Sequence, residues 1–370
     1  MTLRFTTNWF RRTWPTYLAL CCSIALTACG NSERPALNAK LPAPLSCTEL
    51  AHFSIPANAI GLPTSGAQVD STEQIPATGA EGQALAAYCK VIGSIYPVDA
   101  NAPPIRFQLN LPSNWNQKTM MFGGGGFNGV LASFLNVVHG GPTDKLTPQG
   151  RGYAVFSSDS GHTLKPPFIY GRDASFATND EALRNFAFEA LKKTRDAVQP
   201  ILQAHYRAPV QKAYFFGGSS GGREAMVVTQ RWPQDYDGVI ALFPVWNFSE
   251  MVLQHGRMSR AFAKPNAYLN QVQRKLLYDT ALANCDQLDG VVDGIISNVN
   301  ACNQQFDPDT ASTDGRLNGP PLRCASDVSN SDSCLNAAQI SALKTMGSAI
   351  DFKFTLASGE TQYPGFNVWG

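Results

Sequence analysis

The sequence predicts an α/β fold in which apolar strands alternate with helices. Apolar and polar residues alternate from Ile105 to Leu111, a period of two that marks a half-buried strand. Residues 180–206 carry apolar side chains at helical spacing, with a kink or interruption expected at Pro200. Shorter apolar strands are predicted at residues 118–122, 153–157, 213–216 and 239–243. Because strands alternate with helices, we expect a mainly parallel sheet.

The character of the sequence changes after residue 243. Residues 47–243 carry the predicted strands and form the expected core domain. Residues 244–370 contain helical stretches, loops rich in aspartate and glycine, and closely spaced cysteines, which indicate a partial lid domain inserted into the core. The formal net charge is +1 and no basic stripe is present, so nucleic-acid binding has no electrostatic support.

The N-terminal residues are typical of an export signal. Three arginines precede a short apolar run at residues 18–25, which is too short to span a bilayer in the mature protein. Residues 1–28 are therefore predicted to be a signal peptide. Residues 26–29 resemble a bacterial lipobox, so Cys29 is the expected lipidated N-terminus and the only membrane attachment; an ordinary secretory signal is the alternative. Residues 29–46 form the expected tether of a protein in the outer membrane, in the periplasm or secreted.

Six cysteines follow the predicted lipidation site. An even set of cysteines in an oxidising compartment predicts disulfides. Six cysteines allow fifteen pairings, and the sequence pattern alone does not choose among them. The six are Cys47, Cys89, Cys285, Cys302, Cys324 and Cys334.

A nucleophile elbow is predicted at residues 217–222. Gly218, Ser220 and Gly222 fit the pattern G-x-S-x-G, in which a strained turn exposes the central serine above a sheet. An apolar strand before the motif and a helix after it supply the required context. Ser220 is therefore the predicted catalytic nucleophile, at a helix N-terminus whose partial positive charge stabilises anionic intermediates. Ser219 is the rival nucleophile, and a glycine-rich helix cap is the structural alternative.

A second glycine-rich segment, residues 123–129, follows an earlier predicted strand. An esterase needs two backbone N–H groups for its oxyanion, one from the residue after the nucleophile, here Gly221, and one from such a loop. Together with the elbow, the loop predicts the α/β-hydrolase fold with an inserted lid. The spacing of Gly124, Gly126 and Gly129 also matches a dinucleotide-binding fingerprint. A nicotinamide cofactor would require an immediate helix, and no strong helix start follows.

An aspartate-rich loop in the lid suggests a metal site. Asp286, Asp289 and Asp293 offer hard oxygen ligands in one compact loop, which suits Ca²⁺ rather than a softer metal. The spacing is not that of an EF-hand. We expect a structural calcium ion, and an Asp/Gly turn without metal is the alternative.

Several blocks of the sequence together resemble the tannase and feruloyl esterase family. The blocks stand in the family's order, and the resemblance runs from about Cys47 to the last residue. They are residues 123–129, 158–162, 217–223, 235–238 and 285–295.

The resemblance implies several site assignments. Gly126 and Gly221 would supply the oxyanion N–H groups, and the carbonyls of Val291 and Ile295 would complete the calcium site. The disulfides would be Cys47–Cys89, Cys285–Cys302 and Cys324–Cys334. The implied activity is hydrolysis of small-molecule esters of aromatic or phenolic acids, such as feruloyl or galloyl esters, through an acyl-enzyme.

The sequence departs from the family pattern in two places. The family usually carries a cysteine just before the nucleophile, bonded to another after the catalytic histidine, and here that place is Ser219. In this fold the acid and histidine follow the nucleophile, yet His255 is the only later histidine and lies at the lid entrance. His162, in a Ser/Asp/Gly loop after a strand, is placed to line the cleft, but fold order favours a structural role.

We therefore expect a truncated chain with an incomplete sheet. It would lack the catalytic aspartate and histidine and be nearly inactive alone, because an unassisted serine is a poor nucleophile. The alternative is a non-catalytic, calcium-stabilised surface lipoprotein that retains a ligand-binding cleft.

Overall fold

Eight strands form one continuous sheet. Their order across the sheet is β1-β2-β3-β4-β6-β5-β7-β8. From β1 to β8 the strands span Ser54–Ile55, Ala67–Ile75, Tyr88–Ile95, Ile105–Pro112, Lys118–Phe122, Ala154–Ser158, Lys212–Gly218 and Gly238–Leu242. The five strands predicted from the sequence are β4 to β8, and each prediction agrees with the structure to within two residues.

The structure is a computed structural model. It describes residues 43–79, 84–131, 138, 140–142, 144–164, 173–326 and 331–369. The chain from Pro44 onward forms one compact unit. The predicted signal peptide, the lipidation site Cys29 and most of the predicted tether lie outside the described residues.

The sheet is mixed rather than mainly parallel. Strands β1 to β4 pair antiparallel in chain order, and β4 pairs antiparallel with β6. Strands β6, β5, β7 and β8 are parallel to one another. The difference arises because β2, β3 and β4 follow one another without an intervening helix, and short connections join antiparallel neighbours. The parallel half ends at one edge, where the segments that follow β5, β6 and β7 meet.

Seven α-helices accompany the strands in the described part of the chain. From α1 to α7 they span Asp180–Arg184, Ala190–Tyr206, Ser220–Arg231, Phe248–Phe262, Gln271–Cys285, Val299–Gln305 and Ala337–Gly347. A π-helical turn, Asn185–Glu189, joins α1 to α2. The helix predicted at residues 180–206 is thus interrupted at this turn, and Pro200 lies inside α2.

The main core lies between the sheet and α2. Val91, Phe107 and Leu109 on the strands and Val198 and Ile201 on α2 are fully buried. The five apolar residues belong to one packed cluster, so the apolar face of α2 that the sequence predicts is the face that covers the sheet.

Residues after β8 build a second core. Helices α5, α6 and α7 bury Leu277, Cys302 and Ile340 together with Leu322 and Leu335 from the intervening loops. A short antiparallel pair, β9 (Ile350–Asp351) and β10 (Gln362–Tyr363), follows α7. Among the described residues, no helix is both long and apolar enough to cross a bilayer.

Three disulfides cross-link these parts of the chain. They join the pairs that the family resemblance implies, with Cα–Cα distances of 5.5 Å for Cys47–Cys89, 5.2 Å for Cys285–Cys302 and 5.0 Å for Cys324–Cys334. The Cys47–Cys89 bond anchors the start of the described chain to β3. The Cys285–Cys302 bond lies within the second core, and Cys324–Cys334 cross-links the loop between α6 and α7.

Candidate active site

A strained turn connects β7 to α3. Ser219 lies between the last residue of the strand and the first residue of the helix, with φ of 57° and ψ of −122°. A non-glycine residue in this region of backbone space costs about 1–3 kcal/mol and persists where the surrounding structure holds it, most often at functional sites. Ser219 is therefore the residue at the nucleophile elbow.

Close packing of glycines makes the turn possible. A Cβ on Gly217 would overlap the backbone carbonyl of Gly221, one turn into the helix. A Cβ on Gly221 would lie 2.7 Å from the carbonyl oxygen of Gly124, in the loop after β5. Only glycine at both positions lets the strand, the helix and this loop approach so closely.

The assignment of Ser220 to the elbow is corrected by this geometry. Ser220 is the first residue of α3 and its exposed fraction is only 2%, whereas Ser219 is partly exposed. Two frames of G-x-S-x-G overlap in this sequence, and the one built on Gly217 and Gly221 matches the turn. In that frame the place where the family usually has a cysteine is Gly218, so the extra disulfide is still excluded.

The oxyanion assignments shift with the elbow. One predicted oxyanion donor is the amide of the residue after the nucleophile. With Ser219 at the elbow, that residue is Ser220 and not Gly221. The other predicted donor, Gly126, lies in the glycine loop (residues 123–129). Its φ is +57°, it is exposed, and its amide makes no hydrogen bond within the described residues. The role of Gly126 stays a prediction that this geometry permits.

An aromatic cluster lies beside the glycine loop. It consists of Phe127, Phe176, Phe186 and Phe248. Phe127 contacts Phe186 and Phe248 at centroid distances of 5.9 and 5.6 Å, and Phe176 lies 5.0 Å from Phe186. The cluster joins the glycine loop to the start of α4, and so connects the elbow side of the sheet to the second core.

Arg223, on the first turn of α3, holds this cluster to the elbow helix. Its guanidinium lies over the rings of Phe186 and Phe248, 5.1 and 5.4 Å from their centroids. It also donates hydrogen bonds to the carbonyls of Ala187 at 2.8 Å and Phe186 at 3.3 Å. Both carbonyls belong to the π-helical turn, where wider winding frees carbonyl groups from the helix. No pattern in the sequence indicates this contact.

His162 is buried against the same cluster. Its ring stacks on Phe176 at 3.9 Å, its exposed fraction is 5%, and neither ring nitrogen makes a hydrogen bond. Burial lowers the pKa of His162, while the nearby backbone of Phe127 and the charge of Asp173 oppose this shift. A neutral, buried ring packed between aromatic side chains agrees with the structural role that fold order favours.

A buried carboxyl group precedes His162 in the same loop. Oδ1 of Asp159 accepts hydrogen bonds from the amides of Arg106 at 3.0 Å and Gly161 at 2.9 Å. Burial raises the pKa of Asp159 to about 7, and the two hydrogen bonds oppose the rise. The carboxyl group fixes the loop after β6 against the start of β4.

The described histidines do not complete a triad. His255 stacks on Phe366 at 5.3 Å, and His205 bonds through Nδ1 to the carbonyl of Leu45 at 2.7 Å. Within the described residues, the Ser219 hydroxyl makes no hydrogen bond to a histidine. His139 lies outside the described residues.

The aspartate-rich loop (residues 286–295) contains the carboxylate oxygens that calcium prefers as ligands. In this structure these oxygens accept hydrogen bonds from amides of the same loop. Asp286 accepts from the amide of Gly294 at 3.1 Å, Asp289 from Val291 at 2.9 Å and Asp293 from Ile295 at 3.0 Å. No group of three or more acidic, histidine or cysteine side chains converges in the described part of the chain. The oxygen donors fit calcium in kind, while the carboxylates do not share a centre.

A strained serine turn between a parallel strand and a helix, faced by a glycine loop, is typical of the α/β-hydrolase fold, and here helices follow β8. A family model described as "Tannase and feruloyl esterase" matches residues 89–370. The chain therefore belongs to the tannase and feruloyl esterase family, as the sequence blocks indicate.

Named relatives agree with this family. An uncharacterized esterase of Agrobacterium fabrum is 39% identical over 325 residues, covering 87% of this chain and 56% of the relative. Mono(2-hydroxyethyl) terephthalate hydrolase of Piscinibacter sakaiensis is 30% identical over 287 residues, covering 73% of this chain and 46% of the relative. The chain thus spans about half the length of these relatives.

A solved structure supports the fold. Feruloyl esterase B from Aspergillus oryzae matches with a TM-score of 0.63 and 22% identity, over 87% of this chain and 59% of that one. At this identity the likeness bears on the fold alone. It agrees with the α/β-hydrolase architecture that the elbow and the glycine loop predict.

Proposed function

We propose that this chain carries the nucleophile and oxyanion site of a serine carboxylic-ester hydrolase. The observation that carries the proposal is the backbone of Ser219, strained at a turn that faces the glycine loop. Ser219 attacks the ester carbonyl, and the amides of Ser220 and Gly126 stabilise the oxyanion. Its collapse breaks the ester C–O bond and forms the acyl-enzyme, and the alcohol leaves with the proton that the serine gives up. Water then releases the acid from the acyl-enzyme. A general base must accept the serine proton and pass it to the leaving alcohol.

We infer that the substrates are esters of aromatic acids. The aromatic cluster beside the glycine loop supports this inference, because aromatic side chains bind aromatic rings through stacked or edge-to-face contacts. Relatives named as feruloyl esterases and as mono(2-hydroxyethyl) terephthalate hydrolase support it as well. Rates with methyl ferulate and methyl gallate should exceed those with an aliphatic ester of similar size, and equal rates would contradict the aromatic preference.

A fluorophosphonate probe tests the nucleophile. The probe should label the full chain slowly, because the described histidines do not activate Ser219, so excess probe and long incubation are used. Ser219→Ala should abolish this labelling and Ser220→Ala should retain it, because only Ser219 lies at the elbow. Labelling lost in Ser220→Ala but kept in Ser219→Ala would identify Ser220 as the nucleophile. No labelling of the unsubstituted chain even after long incubation with excess probe would favour the non-catalytic binding protein instead.

We propose that calcium binds the aspartate-rich loop and stabilises the second core. The ion would be held by three carboxylates, which would give up their present contacts with amides, and by two carbonyls. The carboxylates are those of Asp286, Asp289 and Asp293, and the carbonyls are those of Val291 and Ile295. Millimolar CaCl₂ should raise the melting temperature, and MgCl₂ should do so less, since Mg²⁺ demands stricter geometry. Asp289→Asn should remove the rise in melting temperature. The control Asp279→Asn, at an exposed position on α5, should keep it. An unchanged melting temperature with CaCl₂ would exclude the site.

We propose that the protein is exported and attached to the membrane through Cys29. The three disulfides support export, because disulfides persist in oxidising compartments. Cells fed labelled palmitate should incorporate it into the protein, and Cys29→Ser should abolish incorporation. Export without any incorporated lipid would instead support the ordinary secretory signal.

A further inference from the structure

A buried glutamate links the elbow helix to the glycine loop. Glu224 lies on α3, five positions after Ser219, and its exposed fraction is 1%. Its Oε2 accepts a hydrogen bond from the amide of Gly124 at 3.0 Å, and its Oε1 accepts one from Nδ2 of Asn128 at 2.6 Å. One carboxylate thus holds the loop at two points four residues apart.

Asn128 extends this connection to the loop after β6. Its Nδ2 also donates to Oγ of Ser160 at 2.5 Å, and its backbone amide donates to the carbonyl of Gly125 at 2.8 Å. Asn128 has a φ of 60°, a left-handed conformation that asparagine and aspartate tolerate better than other residues with side chains. The amide of Gly129 donates to the carbonyl of Asp159 at 3.1 Å. The loop is therefore fixed from both sides.

The loop also wraps closely around these side chains. A Cβ on Gly123 would lie 2.7 Å from Oε2 of Glu224, and a Cβ on Gly124 would overlap the amide group of Asn128. The first glycines of the loop are therefore needed for contact with Glu224 and Asn128. Gly126, the proposed oxyanion donor, lies on the segment between the two anchored residues, Gly124 and Asn128.

A carboxylate is costly to bury, so its hydrogen bonds must offset a substantial desolvation energy. Burial raises the pKa of Glu224, and the neighbouring charge of Arg223 and the bonds from Asn128 and Gly124 oppose the rise. An apolar residue would fill the same space without this cost, but it would leave the amide of Gly124 and one of the two side-chain N–H bonds of Asn128 without an acceptor.

We propose that Glu224 is a positioning residue for the ester hydrolysis proposed above, on which this inference rests. Its carboxylate holds residues 124–128 so that the amide of Gly126 and the amide of Ser220 face one point above Ser219. Both donors are then fixed to the same helix: Ser220 begins α3, and Glu224 lies on its second turn. Oxyanion stabilisation depends on this alignment, because donors act fully only within hydrogen-bond distance of the developing charge.

Three variants of the full chain test the proposal. Glu224→Gln keeps the shape but turns an amide N–H₂ toward the N–H₂ of Asn128, so one of the two contacts is lost. Asn128→Asp places two carboxylates against each other. The double variant restores the contact with its direction reversed, since the introduced glutamine amide then donates to the introduced aspartate carboxylate.

Two measurements are made on each variant. Amide hydrogen exchange reports the stability of the peptide that covers residues 123–129, and the rate of fluorophosphonate labelling reports the reactivity of Ser219. We expect each single variant to exchange this peptide faster and to label about 10- to 100-fold more slowly, and the double variant to recover most of both.

The control is another buried glutamate with backbone partners. Glu181 accepts hydrogen bonds from the amides of Val98 and Asp99 at 3.2 and 2.7 Å and pairs with Lys193, and it touches neither the elbow nor the glycine loop in these contacts. Glu181→Gln should lower the melting temperature and leave both measurements unchanged. If Glu181→Gln slows labelling as much as Glu224→Gln, the effect is general destabilisation and the proposal is overturned.

The remaining outcomes separate this inference from the esterase proposal. Unchanged exchange of residues 123–129 in Glu224→Gln overturns the positioning role whatever the labelling shows. Absent labelling of the unsubstituted chain overturns the esterase proposal and, with it, the catalytic role of Glu224. Hydrogen exchange of residues 123–129 still decides whether Glu224 holds the glycine loop. If Glu224→Gln does not fold, the same two measurements are made on Asn128→Ala, in which Oε1 of Glu224 loses its hydrogen-bond donor. Faster exchange and slower labelling support the positioning role, and no change in exchange overturns it.

Discussion

The amide of Ser219 donates a hydrogen bond to the carbonyl of Leu242 at 3.1 Å, and the carbonyl of Ser219 accepts one from the amide of Val245 at 3.3 Å. The strained residue is therefore paired through its amide with the last residue of β8 and through its carbonyl with the segment just after β8. These two bonds, together with the close glycine contacts, hold a conformation that an isolated turn would leave.

Ser219→Gly should stabilise the protein. Glycine adopts the observed backbone angles without strain, and the relief exceeds the extra entropy of glycine in the unfolded chain. We expect the free energy of unfolding to rise by about 1 kcal/mol, while labelling by a fluorophosphonate is lost. Ser220→Gly, in the first turn of α3, should lower the free energy of unfolding by roughly 0.5–1 kcal/mol. Urea denaturation of both variants checks the opposite signs, and a loss of stability in Ser219→Gly would show that the turn is unstrained.

Asp159→Asn should change how stability depends on pH. The folded pKa is about 7 and the ordinary value is 3.8, so the folded protein holds a proton that the unfolded chain releases between these values. The contribution of this group is thus complete at low pH and is lost as pH rises toward 7. Relative to the unsubstituted protein, the variant should gain roughly 2–4 kcal/mol between about pH 4 and pH 7.

The matched control for that measurement is Asp237→Asn. A hydrogen bond from Lys212 lowers the pKa of Asp237, so this variant should lose relative stability as pH rises through the ordinary range of an aspartate. Denaturation curves at several pH values distinguish the two. A difference for Asp159→Asn that does not vary with pH would mean that its carboxyl group stays charged in the fold.

Arg223→Lys should destabilise the aromatic cluster. Lysine cannot reproduce the two guanidinium bonds to Phe186 and Ala187 together with the stacking over two rings. We expect a loss of about 1–3 kcal/mol in the free energy of unfolding. Arg231→Lys, at an exposed site 4.0 Å from the ring of Phe188, should cost under about 1 kcal/mol. Equal losses would show that the carbonyl contacts of Arg223 add nothing.

The disulfides should protect different parts of the protein. Replacing Cys285 and Cys302 by serine opens a loop of 17 residues and should lower stability by roughly 3 kcal/mol, with faster hydrogen exchange in α5 and α6. Replacing Cys47 and Cys89 opens a separation of 42 residues and should cost roughly 4 kcal/mol, with faster exchange in β3. Uniform exchange changes in both variants would indicate that the two cores unfold as one.

The strands that the sequence predicts are those with an uninterrupted apolar pattern. Strand β3, which the pattern does not predict, contains Gly93 near its centre, and glycine weakens a strand pattern. The structure supplies the reason for the glycine: a Cβ at this position would overlap the ring of Phe107 on β4. The pattern therefore breaks where a neighbouring aromatic side chain needs the space, which local periodicity does not detect.

The elbow shows a different limit of sequence reasoning. The run Gly-Gly-Ser-Ser-Gly-Gly contains two overlapping matches to one motif, and the motif alone does not choose between Ser219 and Ser220. Backbone angles and the contact of Gly217 with Gly221 decide the frame. The contact between Glu224 and Gly124 is not predicted for another reason. The two residues are 100 positions apart, and local sequence patterns do not indicate contacts at that separation.

The π-helical turn at Asn185–Glu189 makes the length of this segment matter more than its composition. Deleting a single residue there would restore ordinary winding and leave α1 and α2 nearly in phase, because the π turn holds one residue more than an α turn over about the same rotation. The carbonyls of Phe186 and Ala187 would return to the helix ladder and would no longer accept hydrogen bonds from Arg223. Conservative exchanges within the turn would keep the extra residue, whereas one lost residue would remove the hydrogen bonds that tie the aromatic cluster to the helix after Ser219.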